Sequence, residues 1–295
     1  MKGRVISAHG RHYSVELENG QTRHCYTRGK KTGLCVGDYV LIKPQGADEG
    51  SIEQTLERQN LLYRSDEMRS KQFAANVDQL LIVVATEPVF SEDLTARALT
   101  GAWSAGIEPV ILLNKCDLTQ GLDRALETLQ IYRELDVPII NCSIFEPETL
   151  KQTLLPLLKN KTSLLLGQSG MGKSSILNVL IPEAKAHTQE HSVALGTGKH
   201  TTTSTRLYHL PNQEGCLIDS PGFQAFGLHH LNQTDIANGF PEFKEHIESC
   251  RFYNCTHLHE PGCGVLAALA QGKISRKRHE LYERILLENQ SAQRY

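Results

Sequence analysis

Gly167-Gln168-Ser169-Gly170-Met171-Gly172-Lys173-Ser174 has the residue types and the G-x-x-x-x-G-K-S spacing needed to hold a polyphosphate. Glycine lets successive backbone N–H groups turn inward around phosphate oxygens, and a helix beginning at the loop's end adds the positive end of its dipole. Lys173 then reaches the terminal phosphates, Ser174 ligates Mg²⁺, and Ser175 extends the contact set into the helix. The apolar run Ser163–Leu166 ahead of the loop and the helical stretch Ser175–Leu180 behind it supply the strand and helix that this chemistry requires.

A second string, Asn114-Lys115-Cys116-Asp117, follows the apolar run Val110–Leu113. A carboxylate at Asp117 can accept from both N1–H and the 2-amino group of guanine, whereas adenine offers no such donor pair and would leave the acceptor unpaired. Lys115 is expected along the base and Asn114 as a tie between loops, with Ser143 in Asn141-Cys142-Ser143 adding contacts after the run Pro138–Ile140. In Asp219-Ser220-Pro221-Gly222, Asp219 can hold Mg²⁺ through water and the Gly222 amide can meet a γ-phosphate. Between these strings lies Gly196-Thr197-Gly198-Lys199-His200-Thr201-Thr202-Thr203, where Thr202 or Thr203 is expected to complete the Mg²⁺ shell. The residue after Gly222 is Phe223, which cannot hydrogen-bond a water. His200 is therefore the candidate to orient the attacking water.

These strings need a sheet to present them. Buried runs at Leu80–Ala85, Val110–Leu113, Pro138–Asn141, Ser163–Leu166 and Cys216–Ile218 alternate with helix-length stretches at 92–105, 121–135 and 147–159. That alternation predicts a parallel α/β sheet with its ligand at the carboxyl ends of the strands. Residues 1–65 read differently: Tyr13, Val15 and Leu17 alternate with polar residues, Asn19-Gly20 supplies a hairpin turn, and Gly37-Asp38 precedes Tyr39–Ile42. A small β barrel is predicted there. From about 230 the chain becomes polar and helical, ending in a basic-rich helix near Lys273–Leu287.

Cys250, Cys255 and Cys263 crowd into fourteen residues while the other five cysteines are scattered, which argues for metal rather than disulfides. Together with His257 or His259 they offer the three thiolates and one imidazole that suit a single structural Zn²⁺; spacing alone does not choose between the histidines. Hydrophobic residues at 40% and charged residues at 22% exclude a disordered chain. The longest apolar run, Leu80–Ala85, falls far short of the roughly 20 residues that span a bilayer, and MKGRVISAHG lacks a signal-peptide core, so a cytoplasmic chain with no membrane association is expected. Net charge is only −2, yet residues 1–43 carry eight Lys or Arg against three acids, which permits phosphate contact through residues such as Arg28, Lys30 and Lys31.

The motif order is base recognition, phosphate loop, switch, sensor, whereas an ordinary small GTPase places base recognition last. With the β barrel in front and the Cys/His cluster behind, this permuted order resembles the circularly permuted GTPases of ribosome assembly. The resemblance covers nearly the whole chain and is most specific at His200-Thr201-Thr202-Thr203, the phosphate loop and the Cys/His cluster. It implies three domains: an N-terminal OB-fold barrel binding RNA at 1–68, a circularly permuted P-loop GTPase at 69–228 and a zinc-binding helical unit at 229–295. It favours His257 as the fourth ligand. It further implies a monomer that hydrolyses GTP to GDP and phosphate with Mg²⁺, in late maturation of the small (30S) ribosomal subunit and in contact with its 16S rRNA, the subunit accelerating turnover. Two other readings remain open: a nucleotide-shaped RNA-binding scaffold with incidental turnover, and a metabolic kinase, which Asn114-Lys115-Cys116-Asp117 disfavours.

Overall fold

The computed structural model describes residues 1–27, 33–65, 70–184, 204–222 and 226–292. Alternating apolar residues build the first unit. In β1 (Lys2–His9) and β2 (His12–Leu17) every second residue is buried, and β3 (Thr22–Thr27), β4 (Tyr39–Gln45) and β5 (Glu49–Thr55) complete the set. The hydrogen-bonded order β1-β2-β3-β5-β4 closes by a β1–β4 pairing, so the edges disappear into a five-stranded barrel. Val5, Val15, Val40, Ile42 and Ile52 fill its centre.

A hairpin of β6 (Leu61–Ser65) and β7 (Ser70–Ala75) leads out of the barrel. Arg58 pins this exit: its guanidinium donates to both Asp38 oxygens at 2.6 and 2.8 Å and to the Gly33 carbonyl at 2.6 Å. The buried carboxylate thus meets a bidentate partner, the arrangement in which a buried charge is tolerated.

The second unit is the predicted α/β sheet. β8 (Gln79–Ala85), β9 (Glu108–Asn114), β10 (Ile139–Asn141), β11 (Thr162–Leu166), β12 (Arg206–His209) and β13 (Cys216–Asp219) take the order β10-β9-β8-β11-β13-β12, all parallel but β12. Strands β8 and β11 are buried from end to end because α1 (Glu92–Ser104), α2 (Leu122–Arg133), α3 (Pro147–Leu158) and α4 (Lys173–Leu180) cover the sheet. Ala85 pairs with Asn114 and Asn141 with Leu113, so the loops after these strands leave from one edge.

Barrel and sheet meet at a seam that local sequence does not announce. Ser7 on β1 pairs with Arg206 on β12, Arg4 donates to Thr162 Oγ1 at 2.8 Å, and His209 Nε2 lies 2.7 Å from Glu16 Oε2. His209 Nδ1 is 3.5 Å from Cys216 Sγ.

After β13 the chain forms α5 (Gln233–Asn238), α6 (Lys244–Ile247), α7 (Gly264–Ala270) and α8 (Arg276–Ala292). This unit folds back on α1. Arg97 donates to both Glu288 oxygens at 2.9 and 2.8 Å and to Asp93 at 2.7 Å, while Ser104 Oγ donates to the Asp235 carbonyl at 2.8 Å. Arg278, 2% exposed, pairs with Glu242 at 2.6 Å beneath the rings of Phe240 and Trp103. The basic-rich helix runs to Ala292 rather than ending near Leu287, because Glu288 meets Arg97 and Asn289 Nδ2 donates to the Leu228 and Leu231 carbonyls at 2.7 and 2.8 Å. No helix among the described residues is long and apolar enough to cross a membrane.

The seam carries a pH dependence. Hydrogen bonding to Cys216 and then to Glu16 raises the His209 pKa to about 9 against opposing desolvation. A raised histidine contributes stability that is complete below its ordinary value near 6.5 and fades as pH rises through about 9. Amide exchange in β1 and β12 should therefore quicken between pH 7 and 9.5 beyond the intrinsic base-catalysed increase, and His209→Gln should abolish the excess.

Candidate functional site

Three loops converge at the carboxyl edge of the sheet. The first, Gly167–Gly172, links β11 to α4, and the helix begins at Lys173, two residues earlier than the sequence pattern placed it, so that Lys173 and Ser174 occupy its first turn. Lys173 is buried and its ammonium donates to the carbonyls of Gly167 at 2.8 Å and Gln168 at 3.1 Å. Burial lowers its pKa while the nearby Asp219 charge pulls it upward. Gln168 Oε1 accepts from the Ser91 amide at 2.7 Å, and Ser91 in turn caps α1 by accepting from Leu94 N–H at 3.2 Å.

The second loop follows β9. Asn114, 1% exposed, donates from Nδ2 to the Met171 carbonyl at 2.9 Å, which joins it to the phosphate-type loop. Lys115 is in the left-handed region at φ 61°, its Nζ donates to the Glu87 carbonyl at 2.7 Å, and Thr86 Oγ1 donates to its carbonyl at 3.0 Å. Asp117 is exposed, with Oδ1 accepting from Ser143 Oγ at 2.5 Å. Ser143 Oγ also accepts from the Phe145 amide at 3.1 Å, and the Cys142 carbonyl accepts from Cys116 N–H at 3.1 Å. The string 141–143 therefore lies against 114–117.

The third loop follows β13. Asp219 is buried, and its Oδ1 accepts from the Ser220 amide at 2.9 Å; Ser220 Oγ donates to the Leu165 carbonyl at 2.6 Å. Gly222 is so close to the first loop that an added methyl would lie 3.0 Å from Ser169 N. The loops bearing Asn114, Lys173 and Asp219 thus meet one another and bring together backbone amides, a cation and a carboxylate, a set able to grip a polyphosphate and its metal. His200, Thr201, Thr202, Thr203 and Phe223 lie outside the described residues, as do Arg28, Lys30 and Lys31. Thr86, Glu87 and Ser91, which brace the site from the loop after β8, were not among the sequence candidates. Ser91 before Glu92-Asp93 is a helix-start signal that could have found one of them.

A second cluster lies in the C-terminal unit. Cys250, Cys255, His257 and Cys263 bring one donor atom each within 4.8 Å of one another. Tetrahedral Zn²⁺, at about 2.3 Å to sulfur and 2.0–2.1 Å to nitrogen, needs S···S edges of about 3.8 Å and S···N edges of about 3.6 Å. Cys250 and Cys263 Sγ are 3.9 Å apart, and His257 Nδ1 is 3.6 and 3.5 Å from them. The donor set and spacing fit the ion. The Gly264 and Leu266 amides donate to Cys250 and Cys263 sulfur at 3.4 and 3.5 Å, contacts that favour thiolate. His257, not the exposed His259, joins the cluster, and its carbonyl is within 2.8 Å of His279 Nε2 on α8. Glu260, held at a pKa of about 2, accepts from Thr256 N–H at 2.7 Å and from the Leu258 and His259 amides at 3.2 and 3.3 Å. These hydrogen bonds outweigh the upward push of burial and tighten the turn between the ligands.

Comparison with known proteins agrees with this geometry. Residues 55–229 match the family model described as RsgA GTPase. The chain is 64% identical over 294 residues to the small ribosomal subunit biogenesis GTPase RsgA of Bordetella pertussis, covering 100% of this chain and 98% of the relative. It is 52% identical over 292 residues to the protein of the same name from Ralstonia pickettii, covering 98% and 93%. Among solved structures it is similar to YjeQ from Thermotoga maritima, at TM-score 0.73 and 31% identity over 98% of both chains. It is also similar to YloQ, described as a circularly permuted GTPase, at TM-score 0.70 and 27% identity over 98% of this chain and 95% of that one.

Gly172 tests the lock between the first two loops. It has φ 94°, and a methyl there would fall 2.2 Å from Asn114 Nδ2. Gly172→Ala should cost roughly 2–4 kcal/mol, from positive-φ strain and from displacing a buried hydrogen-bonded amide. Urea denaturation of the ligand-free chain measures the loss; an unchanged midpoint would show that the two loops are not locked together here.

Proposed function

We propose, from the premise that this chain belongs to the RsgA GTPase family, that it hydrolyses GTP to GDP and phosphate while bound to a maturing small ribosomal subunit. The observation that carries the reading is the Asn114–Met171 bond at the sheet edge, which sets a carboxylate-bearing base loop beside a phosphate-type loop at fixed spacing. In this assignment Asp117 accepts from the guanine N1–H and 2-amino group, Lys115 lies along the base, and Ser143 holds Asp117 in place. Gly167 to Ser175 wrap the phosphates, with Lys173 exchanging the Gly167 and Gln168 carbonyls for β- and γ-phosphate oxygens. Ser174 holds Mg²⁺, Asp219 reaches it through water, and Thr202 or Thr203 completes its shell. The Gly222 amide senses the γ-phosphate and His200 orients the water that attacks it.

We assign residues 1–68 to an RNA-binding barrel, 69–228 to the permuted GTPase and 229–295 to the metal-bearing unit, and we take the protein to act as a cytoplasmic monomer. Cys250, Cys255, His257 and Cys263 hold one Zn²⁺ whose role is structural, since four protein ligands leave no position for a substrate.

Two measurements test this assignment. Metal analysis of the purified chain should give about one zinc per molecule, because structural zinc is held through folding free energy, and Cys255→Ser should release it. A metal-free chain of normal stability would remove the site. GTP turnover should be slow alone and at least tenfold faster with purified small subunits, large subunits having no effect, since binding raises the fraction of competent switch. His200→Ala should lose the acceleration and keep GTP affinity. Equal turnover under all three conditions would reject the ribosome-coupled reading.

A further inference from the structure

We propose that the loop Arg251-Phe252-Tyr253-Asn254, carried between two ligands of the Cys/His cluster, is a stacking platform for an unpaired RNA base. The proposal rests on the ribosomal reading above and names a point of contact within it.

All four residues are exposed, Tyr253 fully at 103% and Phe252 at 40%. Among the described residues the other large exposed apolar side chains, such as Val89, Phe145 and Leu287, stand apart in sequence, whereas these two are adjacent. A fully exposed tyrosine ring on a long tail would need no explanation, but this one is on a held loop. Cys250 and Cys255 bracket it, Arg251 N–H donates to the Gly262 carbonyl at 3.0 Å, and Cys255 N–H donates to the Phe252 carbonyl at 3.2 Å. Gln233 Nε2 donates to the Cys255 carbonyl at 3.0 Å, tying the loop's end to α5. The backbone is therefore fixed before any partner arrives, and the ordering cost of binding falls mainly on side chains.

The chemistry of the rim separates the possible occupants. Arg251 places its guanidinium carbon over the Phe252 ring, 5.5 Å from the centroid, so that a planar cation stacked on one ring stands next to the exposed Tyr253 ring. Planar rings and a guanidinium are what unpaired bases stack on in single-stranded RNA recognition. An apolar protein partner would instead ask for aliphatic neighbours around the rings, and the loop offers Arg251 and Asn254. A phosphate-tracking groove would ask for several cations, and Arg251 is the one charged residue of the four. The ring face is the recognition element.

The test uses the full chain with zinc bound, a non-hydrolysable GTP analogue, and four forms: wild type, Tyr253→Phe, Tyr253→Leu and Tyr253→Ala. Dissociation constants are measured for purified small subunits and for an unstructured single-stranded RNA oligonucleotide. Zinc content and subunit-free GTP turnover should be equal in all forms, since the Tyr253 ring is fully exposed and supplies no donor to the neighbouring cluster. Stacking predicts that Tyr253→Phe binds within about twofold of wild type and that Leu and Ala bind about tenfold more weakly, which is about 1.4 kcal/mol. The salt dependence should be the same for all four, because no phosphate contact is lost. Binding that Leu preserves and Ala weakens would mean an apolar protein contact and overturn the proposal. Binding indifferent to all three substitutions would also overturn it while leaving the ribosomal reading intact. A wild-type chain that binds neither probe would sink both.

Discussion

A parallel sheet brings the carboxyl ends of its strands to one edge, and every loop leaving that edge must find partners for its polar backbone among the other loops. This constraint organises the site. Asn114 serves the Met171 carbonyl, Thr86 the Lys115 carbonyl, Lys115 the Glu87 carbonyl, and Gln168 the Ser91 amide. None of these bonds is local in sequence, and each closes a gap between two crossovers. Of these the Asn114–Met171 bond is buried, and leaving its carbonyl unpaired would cost about 1–3 kcal/mol, so the bond that positions the two loops is also one the fold needs. Structure and preorganisation are here one set of interactions.

Helix α1 carries the constraint outward. Its N-terminus is capped by Ser91, whose amide is held by Gln168 of the phosphate-type loop, and its flank bears Asp93 and Arg97, which meet Arg284 and Glu288 on α8. At its other end Ser104 bonds the Asp235 carbonyl of α5. Because the chain order is permuted, the strand ending in Asp219 leads directly into the unit that packs on α1, and that unit returns to the phosphate-type loop through the helix. The metal-type cluster joins the same body through the His257 carbonyl and His279 of α8. The two ends are thus joined by one packed, ion-paired body.

Much of this was legible in the sequence where function sits on contiguous strings. Gly167–Ser174, Asn114–Asp117 and Asp219–Gly222 could be placed on strand ends because each follows a short, largely apolar run, and β8, β11 and the Val110–Leu113 stretch of β9 are buried as that pattern requires. The barrel was legible from period-two alternation at Tyr13, Val15 and Leu17. Interactions between distant segments were not. Hairpin β6–β7 and strand β12 are short and mixed in composition, and their pairing is decided by neighbours more than a hundred residues away in the case of Arg206 and Ser7. The end of α8 is not legible locally, because Glu288 and Asn289 have the composition of a solvated terminus and their partners, Arg97 and the Leu228 and Leu231 carbonyls, are distant in sequence. The choice between His257 and His259 likewise depends on the local backbone: His257, at φ 60°, has its ring against the thiols, while His259 is exposed.

The C-terminal unit shows why such a cluster is placed where it is. Between α6 and α7 the chain runs through Cys250–Cys263 with no regular element, and a stretch of that kind buries too little apolar surface to order itself. Its apolar support is borrowed: Phe243 and Tyr282 pack at 5.0 Å and both face the His257 ring at 6.1 Å. The thiols are a cost in that setting, since burial raises the Cys255 pKa and a neutral thiol is a poor partner for amides. A divalent cation held there would reverse the balance by favouring thiolates, which strengthen the bonds already accepted from the Gly264 and Leu266 N–H groups and so stitch the irregular stretch to the start of α7. The Cys/His cluster thereby stands to this segment as the parallel sheet stands to the loops at its edge: it gathers partners from distant positions where the local sequence has none.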